Sequence, residues 1–419
     1  MSLAILALLA LVIVIAISAF RTDLNTGVLA VALAYIVGVY FAGLSVSEVS
    51  TYLPEQLVLT LVGITLLFGM AQQNGTLDRL AGFAIRSARG NPALLPFVFF
   101  FLTFVFSAIG PGNIAAVALI APIGMVVALN SNIRPIVMAI MICTGANAGA
   151  FSPVALTGIV NVGLMNKIGI NDPSTTLQIF LLVAALQSIS ALVAYFVFQG
   201  FRIQRSAEVS AVAQSSSQAQ PFHVQHIITL IAILALVIGV IVFNVAVVVG
   251  AFVLAGLLAL FKIGDVEVGL QHLPWGVISL VAGISVLVGL LETTGSLDLA
   301  TNVLASYSTP NTVNALLAFI TGMVSIYSSS SGVVMPTFIP LLPRLIQALG
   351  GGDLIDMVVA VNVGSHLVDV SPLSTLGALC LAALPASVDR SVIFRQLLLW
   401  GISMSVVGAV LAFIFLDLL

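Results

Sequence analysis

Two stretches of the chain set hydroxyls, an amide and an acid–base pair inside apolar sequence. Gly145, Ser152, Pro153 and Gly158 recur at the same spacing as Gly364, Ser371, Pro372 and Gly377. Proline lacks the backbone donor that a helix needs, so each Ser-Pro frees carbonyl oxygens beside a hydroxyl. Ser152, Ser371, Ser374 and Thr375, with those carbonyls, are oxygen donors of the kind that ligate a hard cation. The same hydroxyls also suffice to satisfy the freed backbone groups. His366 and Asp369 are the ionisable residues nearest a break. Charge at bilayer depth is costly, which suits a proton-coupling pair, a substrate contact or a loop anchor facing a cavity. Their counterparts, Asn147 and Ala150, cannot titrate, so a proton role would belong to one half only.

A second matched pair lies upstream of each break. Ser107-Ala108-Ile109-Gly110-Pro111-Gly112-Asn113 precedes one apolar run, and Ser325-Ile326-Tyr327-Ser328-Ser329-Ser330-Ser331-Gly332 precedes the other. Glycine and proline end a helix, and Asn113 and Ser331 stand where the next begins. The unpaired N–H groups of a helix start carry about half a positive charge and suit an anion; helix caps at a buried kink would use the same residues. No lysine or arginine falls near these breaks. Two helix starts together supply only about one positive charge, less than a doubly charged anion needs. Cations travelling with the solute would close the gap. Hydroxyl and carbonyl oxygens outnumber titratable groups, which favours sodium over protons. The sequence offers no metal-ligand set, no nucleophile with its base and no phosphate loop, so the chemistry expected is binding, not catalysis.

The elements that hold these residues must cross a bilayer. The chain is 61% hydrophobic and 6% charged over 419 residues, with mean hydropathy +1.25; soluble domains carry about a quarter charged residues. A net charge of -3 and the lack of a basic tract give no sign of nucleic acid. Apolar runs of bilayer length lie at 3–20, 27–43, 57–72, 177–200, 226–243, 245–261, 275–291 and 391–416. The first is too long and uniform, and lacks the basic leader, of a signal peptide. Residues 93–129 and 311–349 are each long enough for two passes around a polar centre, as a re-entrant hairpin or as two full crossings, and 134–165 and 352–385 read as helices broken at Ser-Pro. Cys143 and Cys380 lie in apolar stretches and read as buried free thiols.

A repeat covers nearly the whole chain. Leu53-Pro54 matches Leu273-Pro274, Asn74-Gly75-Thr76-Leu77-Asp78 matches Thr294-Gly295-Ser296-Leu297-Asp298, and Ser107–Pro122 matches Ser325–Pro340. Residues 1–200 and 226–419 are therefore expected to be duplicates, joined by a Ser-, Gln- and Ala-rich linker at 201–225 of flexible composition. Lysine and arginine placement orients the chain. Arg21, Arg79, Arg86, Arg89, Arg134, Arg202, Arg205, Lys262, Arg390 and Arg395 fall on one face, and Lys167 and Arg344 on the other. This predicts both termini outside, a cytoplasmic linker, and halves inverted relative to each other. Paired discontinuous helices in inverted halves are a sequence pointer to a transporter binding site.

The pattern resembles the ion transporter superfamily, and within it the divalent anion–sodium symporters. That family has a Ser-Asn-Thr motif at each hairpin tip, nine residues before a proline. Here Gly112-Asn113-Ile114 precedes Pro122, and Ser330-Ser331-Gly332 precedes Pro340, at that spacing. Asn113 is kept, while the flanking hydroxyls of the first tip are lost. The Gly145–Pro153 stretch is similar to malonate/dicarboxylate carriers of the MatC type, and also to the large membrane subunit of TRAP transporters. The resemblance implies an all-α polytopic membrane protein of two inverted repeats, each with a re-entrant hairpin and a broken helix. It also implies an elevator, in which a transport domain moves against a scaffold that forms a homodimer in a bacterial inner membrane. Substrate is then expected at Gly112, Asn113, Ser330, Ser331 and Gly332, with Ser152, Pro153, Ser371 and Pro372. Coupling cations, sodium or protons, are expected at Asn113, Asn147, Ser152, Ser328, Ser331, Ser371, Ser374 and Thr375, with His366 and Asp369 as the proton candidates. The function implied is sodium-coupled symport of a dicarboxylate such as malonate or succinate. A TRAP subunit that needs a binding protein, and a cation antiporter or inorganic-anion exporter, are the alternatives.

Overall fold

Apolar sequence of bilayer length has one economical solution, the helix, which satisfies every backbone donor within its own segment. The structure, a computed structural model, describes residues 2–20, 24–77, 79, 92–198, 223–243, 245–385 and 388–417. The expected linker, apart from His223, Val224 and Gln225, lies outside the described residues, as do Arg21, Asp78, Arg86, Arg89, Arg202 and Arg205. Among the described residues the fold is all-helical, and seven helices are long and apolar enough to cross a membrane. The first half comprises α1 (Leu3–Phe20), α2 (Thr26–Tyr35, extended by a π-helical turn to Phe41), α3 (Val46–Ser50), α4 (Glu55–Gln73), α5 (Leu95–Ala108), α6 (Gly112–Asn130), α7 (Pro135–Ala150), α8 (Leu156–Lys167) and α9 (Pro173–Val197).

The second half repeats the order. It comprises α10 (Val224–Phe243), α11 (Val247–Leu260), α12 (Val266–Gln271), α13 (Trp275–Thr293), α14 (Ser296–Ser306) and α15 (Val313–Ser325). A π-helical turn at Ser330–Val334 then leads into α16 (Met335–Phe338), a tight turn at Ile339–Leu341 and α17 (Leu342–Leu349). The chain closes with α18 (Leu354–Leu367), α19 (Thr375–Ala382) and α20 (Arg390–Ala412). Matching aspartates cap the closing helix of each half. Asp172 accepts from Ser174, and Asp389 from Ser391; those donors hold both carboxyls below the usual carboxylate range.

Contacts between the halves are reciprocal, as a two-fold relation requires. α2 packs on α13, and its counterpart α11 packs on α4. α19 packs on α6, and its counterpart α8 packs on the returning arm of the second hairpin, 330–341. The matched helices α4 and α13 run in opposite directions. Gly69, late in α4, lies against Gly269 and His272, just before α13 begins. Glu55, at the start of α4, shares a cavity with Lys167, whose charge senses Glu292 at the end of α13. The halves are thus inverted.

Register fixes the depth of the hairpins. α6 packs against α7, and Asn113 at the start of α6 bonds Asn147 near the end of α7. The tip therefore lies level with the break at 151–155. Beyond that break α8 continues for 12 residues, about 18 Å at 1.5 Å per residue. The hairpin goes in only as far as the break and returns. Small residues let its arms close on the broken helix: a Cβ at Gly145 would sit 2.3 Å from the Phe100 carbonyl oxygen, and one at the matched Gly364 2.3 Å from that of Ala318. Such close backbone approach through small residues is how helices pack where lipid removes the hydrophobic drive.

Candidate functional site

Each broken helix stops where its sequence demands. α7 ends at Ala150, Ser152–Ala155 is irregular, and α8 restarts at Leu156; α18 tightens at Val368–Val370, opens at Ser371–Ser374, and α19 starts at Thr375. Gly158 and Gly377 begin the second limbs, where a Cβ would strike the Ser152 and Ser371 carbonyl oxygens at 2.0 and 2.2 Å. The matched glycines are thus required by the turn itself. At the first tip Gly110 has φ +145° and Gly112 φ +82°, backbone conformations open to glycine. Phe68 of α4 packs so tightly under Gly110 that a Cβ there would lie 1.8 Å from its ring. At the second tip Ser329 Oγ accepts from the Gly332 amide at 3.1 Å, and Leu280 of α13 seats the turn.

One hydrogen-bonded chain joins both tips and both broken helices. Asn113 Nδ2 donates to Asn147 Oδ1 at 2.7 Å. Asn147 Nδ2 in turn donates to the His366 carbonyl at 2.8 Å and to Asp369 Oδ2 at 3.0 Å. The other oxygen, Asp369 Oδ1, accepts from Ser330 Oγ at 2.5 Å and Ser374 Oγ at 3.2 Å. Ser330 Oγ also meets Ser325 Oγ at 2.6 Å and the Ser365 carbonyl at 3.1 Å. Asp369 is thus the meeting point, and it is 4% exposed. Among the described residues no lysine, arginine or histidine side chain pairs with it.

Ser330 faces more acceptors than it has hydrogens. Its hydroxyl has a single hydrogen and faces a carbonyl, which only accepts, and a carboxylate oxygen. The hydrogen serves one of them at a time, and Asp369 Oδ1 keeps the bond from Ser374 when it goes to the carbonyl. His366 contributes differently. Its Nδ1 lies 2.9 Å from the Asn362 carbonyl and so carries the hydrogen, while Nε2 is buried without a partner. Its ring meets Phe151 of the other break edge-on, with centroids 4.8 Å apart.

The remaining candidates divide. Ser331 and Ser152 are buried and form no side-chain hydrogen bond among the described residues. Ser371 is buried under α20, where Gly401 makes room for it, and its hydroxyl accepts from Leu373. Ser328 donates back to the Val324 carbonyl, and Thr375 is exposed at the start of α19, away from the network. Pro153 lines a cavity; Pro372 is buried.

Two contacts escaped the sequence reading. Cys143 on α7 faces Cys380 on α19 with sulfurs 3.6 Å apart, both thiols free and buried. Asn362 on α18 donates to Asn161 on α8 at 2.8 Å. The repeat that aligns Gly145 with Gly364 also aligns Cys143 with Asn362 and Asn161 with Cys380. These are one contact seen twice, a thiol pair in one copy and an amide pair in the other. Each ties the first limb of one broken helix to the second limb of the other.

Residues 1–150 match the family model described as Dicarboxylate carrier protein MatC N-terminus. No curated protein matches the sequence. Among solved structures, MtrF of Neisseria gonorrhoeae, described as one of a class of antimetabolite efflux pumps, superposes with a TM-score of 0.63 at 12% identity, covering 100% of this chain and 96% of that one. The YdaH transporter of Alcanivorax borkumensis, described as having an unusual topology, gives 0.56 at 14% identity over 88% and 86%. At these identities the likeness is one of fold. Over its first 150 residues the chain is similar to the MatC dicarboxylate carriers, and its fold is that of an all-helical polytopic membrane protein, similar to those two solved structures.

Proposed function

We propose that the protein is a secondary active transporter of small dicarboxylates of the malonate or succinate class, driven by a co-transported cation. It works as an elevator, as a homodimer in a bacterial inner membrane. The observation that carries this reading is Asp369: one buried carboxylate bonded to a residue of each tip or its partner helix, and in direct contact with no basic side chain among the described residues. A cavity that must take a dianion beside a carboxylate needs cations to enter with it, since unpaired buried charge is prohibitive. Helix starts at Gly112 and Ser330 offer N–H groups to the anion, and the Ser365 and His366 carbonyls, Ser330 and Ser374 offer oxygens to the cation.

Uptake of labelled malonate and succinate into proteoliposomes containing only this chain tests the proposal. Accumulation is expected under an imposed sodium or proton gradient and not without one. Uptake that requires an added binding protein would replace it with the TRAP-subunit reading. Uptake indifferent to both gradients would remove the coupling.

A further inference from the structure

A cavity of about 640 Å³ runs along α8 from the first break to the face that carries Lys167. Ile159, Val162, Gly163, Asn166 and Lys167 line it, and their spacing is that of one helical face. Its inner end is Pro153, next to Ser152. The opposite wall is the start of α4, with Glu55, Gln56 and Thr60, and the α10–α11 turn. The wall is thus apolar near the break and polar at the mouth, where Asn166 and Asn171 flank Lys167.

Lys167 is the one cation among these lining residues. Its charge senses Glu292, but Glu292 is held by Arg344 at 3.3 Å, and Arg344 also pairs with Asp298 at 3.1 Å. Among the described residues Lys167 itself forms no ion pair. The repeat places Ala386 at its counterpart, so the cation has no mate in the second half. An ammonium left free in a cleft that ends at a Ser-Pro break has one evident use for an anionic solute.

We infer that this cleft is the vestibule through which the dicarboxylate enters, and that Lys167, with the Asn166 and Asn171 amides, is its first binding station. The inference rests on the transport reading above and adds the route and the recruiting residue. A carboxylate meets the ammonium at the mouth; the solute then passes along α8 to Ser152 and the tips. Glu55 shares the mouth and opposes an anion there. Recruitment by charge in a cleft raises capture more than turnover.

The test compares Lys167→Gln, Lys167→Arg and Glu55→Gln for malonate and succinate uptake by the full chain in proteoliposomes. Lys167→Gln is expected to raise KM about tenfold with Vmax within about twofold, and to flatten the fall of uptake with ionic strength. Lys167→Arg restores KM, and Glu55→Gln lowers it. A second readout needs no transport. In a Cys143→Ser/Cys380→Ser background, Asn166→Cys is expected to react faster with an anionic methanethiosulfonate than with a cationic one, and Lys167→Gln removes that preference. Wild-type uptake with an unchanged KM in Lys167→Gln, or equal labelling by both reagents, overturns the vestibule alone. Absence of dicarboxylate uptake in the wild type, with the labelling preference intact, removes the substrate reading and leaves an anion-attracting cleft.

Discussion

Asn147 uses its whole amide: both hydrogens go to the second half, and its oxygen takes one from the first tip. Asn147→Ala therefore leaves Asp369 Oδ2, the His366 carbonyl and the Asn113 amide without a partner at once. Unmade buried hydrogen bonds cost about 1–3 kcal/mol per group, although within membranes the measured loss averages only about 0.6 kcal/mol per bond. The expected result is a clear drop in the melting temperature of the purified protein, and uptake down by more than about tenfold. Two neighbouring serines separate stability from binding. Ser330 donates into the network, and Ser331, also buried, leaves its hydroxyl unused. Ser330→Ala should lower both melting temperature and uptake. Ser331→Ala and Asn113→Ala should cut uptake strongly, with Ser331→Ala leaving the melting temperature within error. Normal uptake in Ser331→Ala together with Asn113→Ala would take the tips out of the binding site.

The hairpins and broken helices depend on backbones that nearly touch. A methyl at Gly145 or Gly364 would lie 2.3 Å from a carbonyl oxygen of α5 or α15, whereas one at Gly256 meets nothing within 4 Å. Gly145→Ala and Gly364→Ala are expected to lower the melting temperature and the folded yield, with Gly256→Ala as the silent control; equal melting curves for all three would contradict the close packing of hairpin on broken helix. These elements were legible in the sequence because proline, glycine and serine act locally: Ser152-Pro153 and Ser371-Pro372 mark the breaks, and the repeat offsets carry the pairing of hairpins with helices. What joins the elements was harder to read. Asn147 and Asp369 lie in different halves, and nothing local in either stretch says that they meet. The bond between them follows from inversion, which brings the two breaks together at one depth. Ser330, expected from the tip motif as a substrate contact, illustrates the same limit, since nothing local shows that the π-helical turn it starts aims its hydroxyl at Asp369. Cys143 and Asn161 carried a usable signal: each aligns with a residue of the other type in the second copy, a coincidence visible once the offset is applied to polar positions.

At the scale of the molecule, inversion makes a prediction about motion. The first break and its cavity lie between α8, part of the hairpin-and-break assembly, and the α4, α10 and α11 group. The second break is packed from α20 through Gly401, and its second limb is sealed against α6. Inverted copies that differ in this way can exchange conformations: the first half adopts the packing of the second and the second that of the first, which opens the other face. Such exchange requires α8 to slide past α4. Gly163 marks the contact, since a Cβ there would lie 3.5 Å from Leu57 Cγ. Cysteines at Leu57 and Gly163 should therefore form a disulfide with mild oxidant, within the reach that such bonds require. The background must carry Cys143→Ser and Cys380→Ser to leave no competing thiols. Oxidation is expected to stop net uptake while preserving binding of the solute from the Lys167 face, and reductant should restore transport. If the cross-linked protein transports as fast as the reduced one, α8 and α4 move as one body, and the elevator must be sought at another boundary or abandoned.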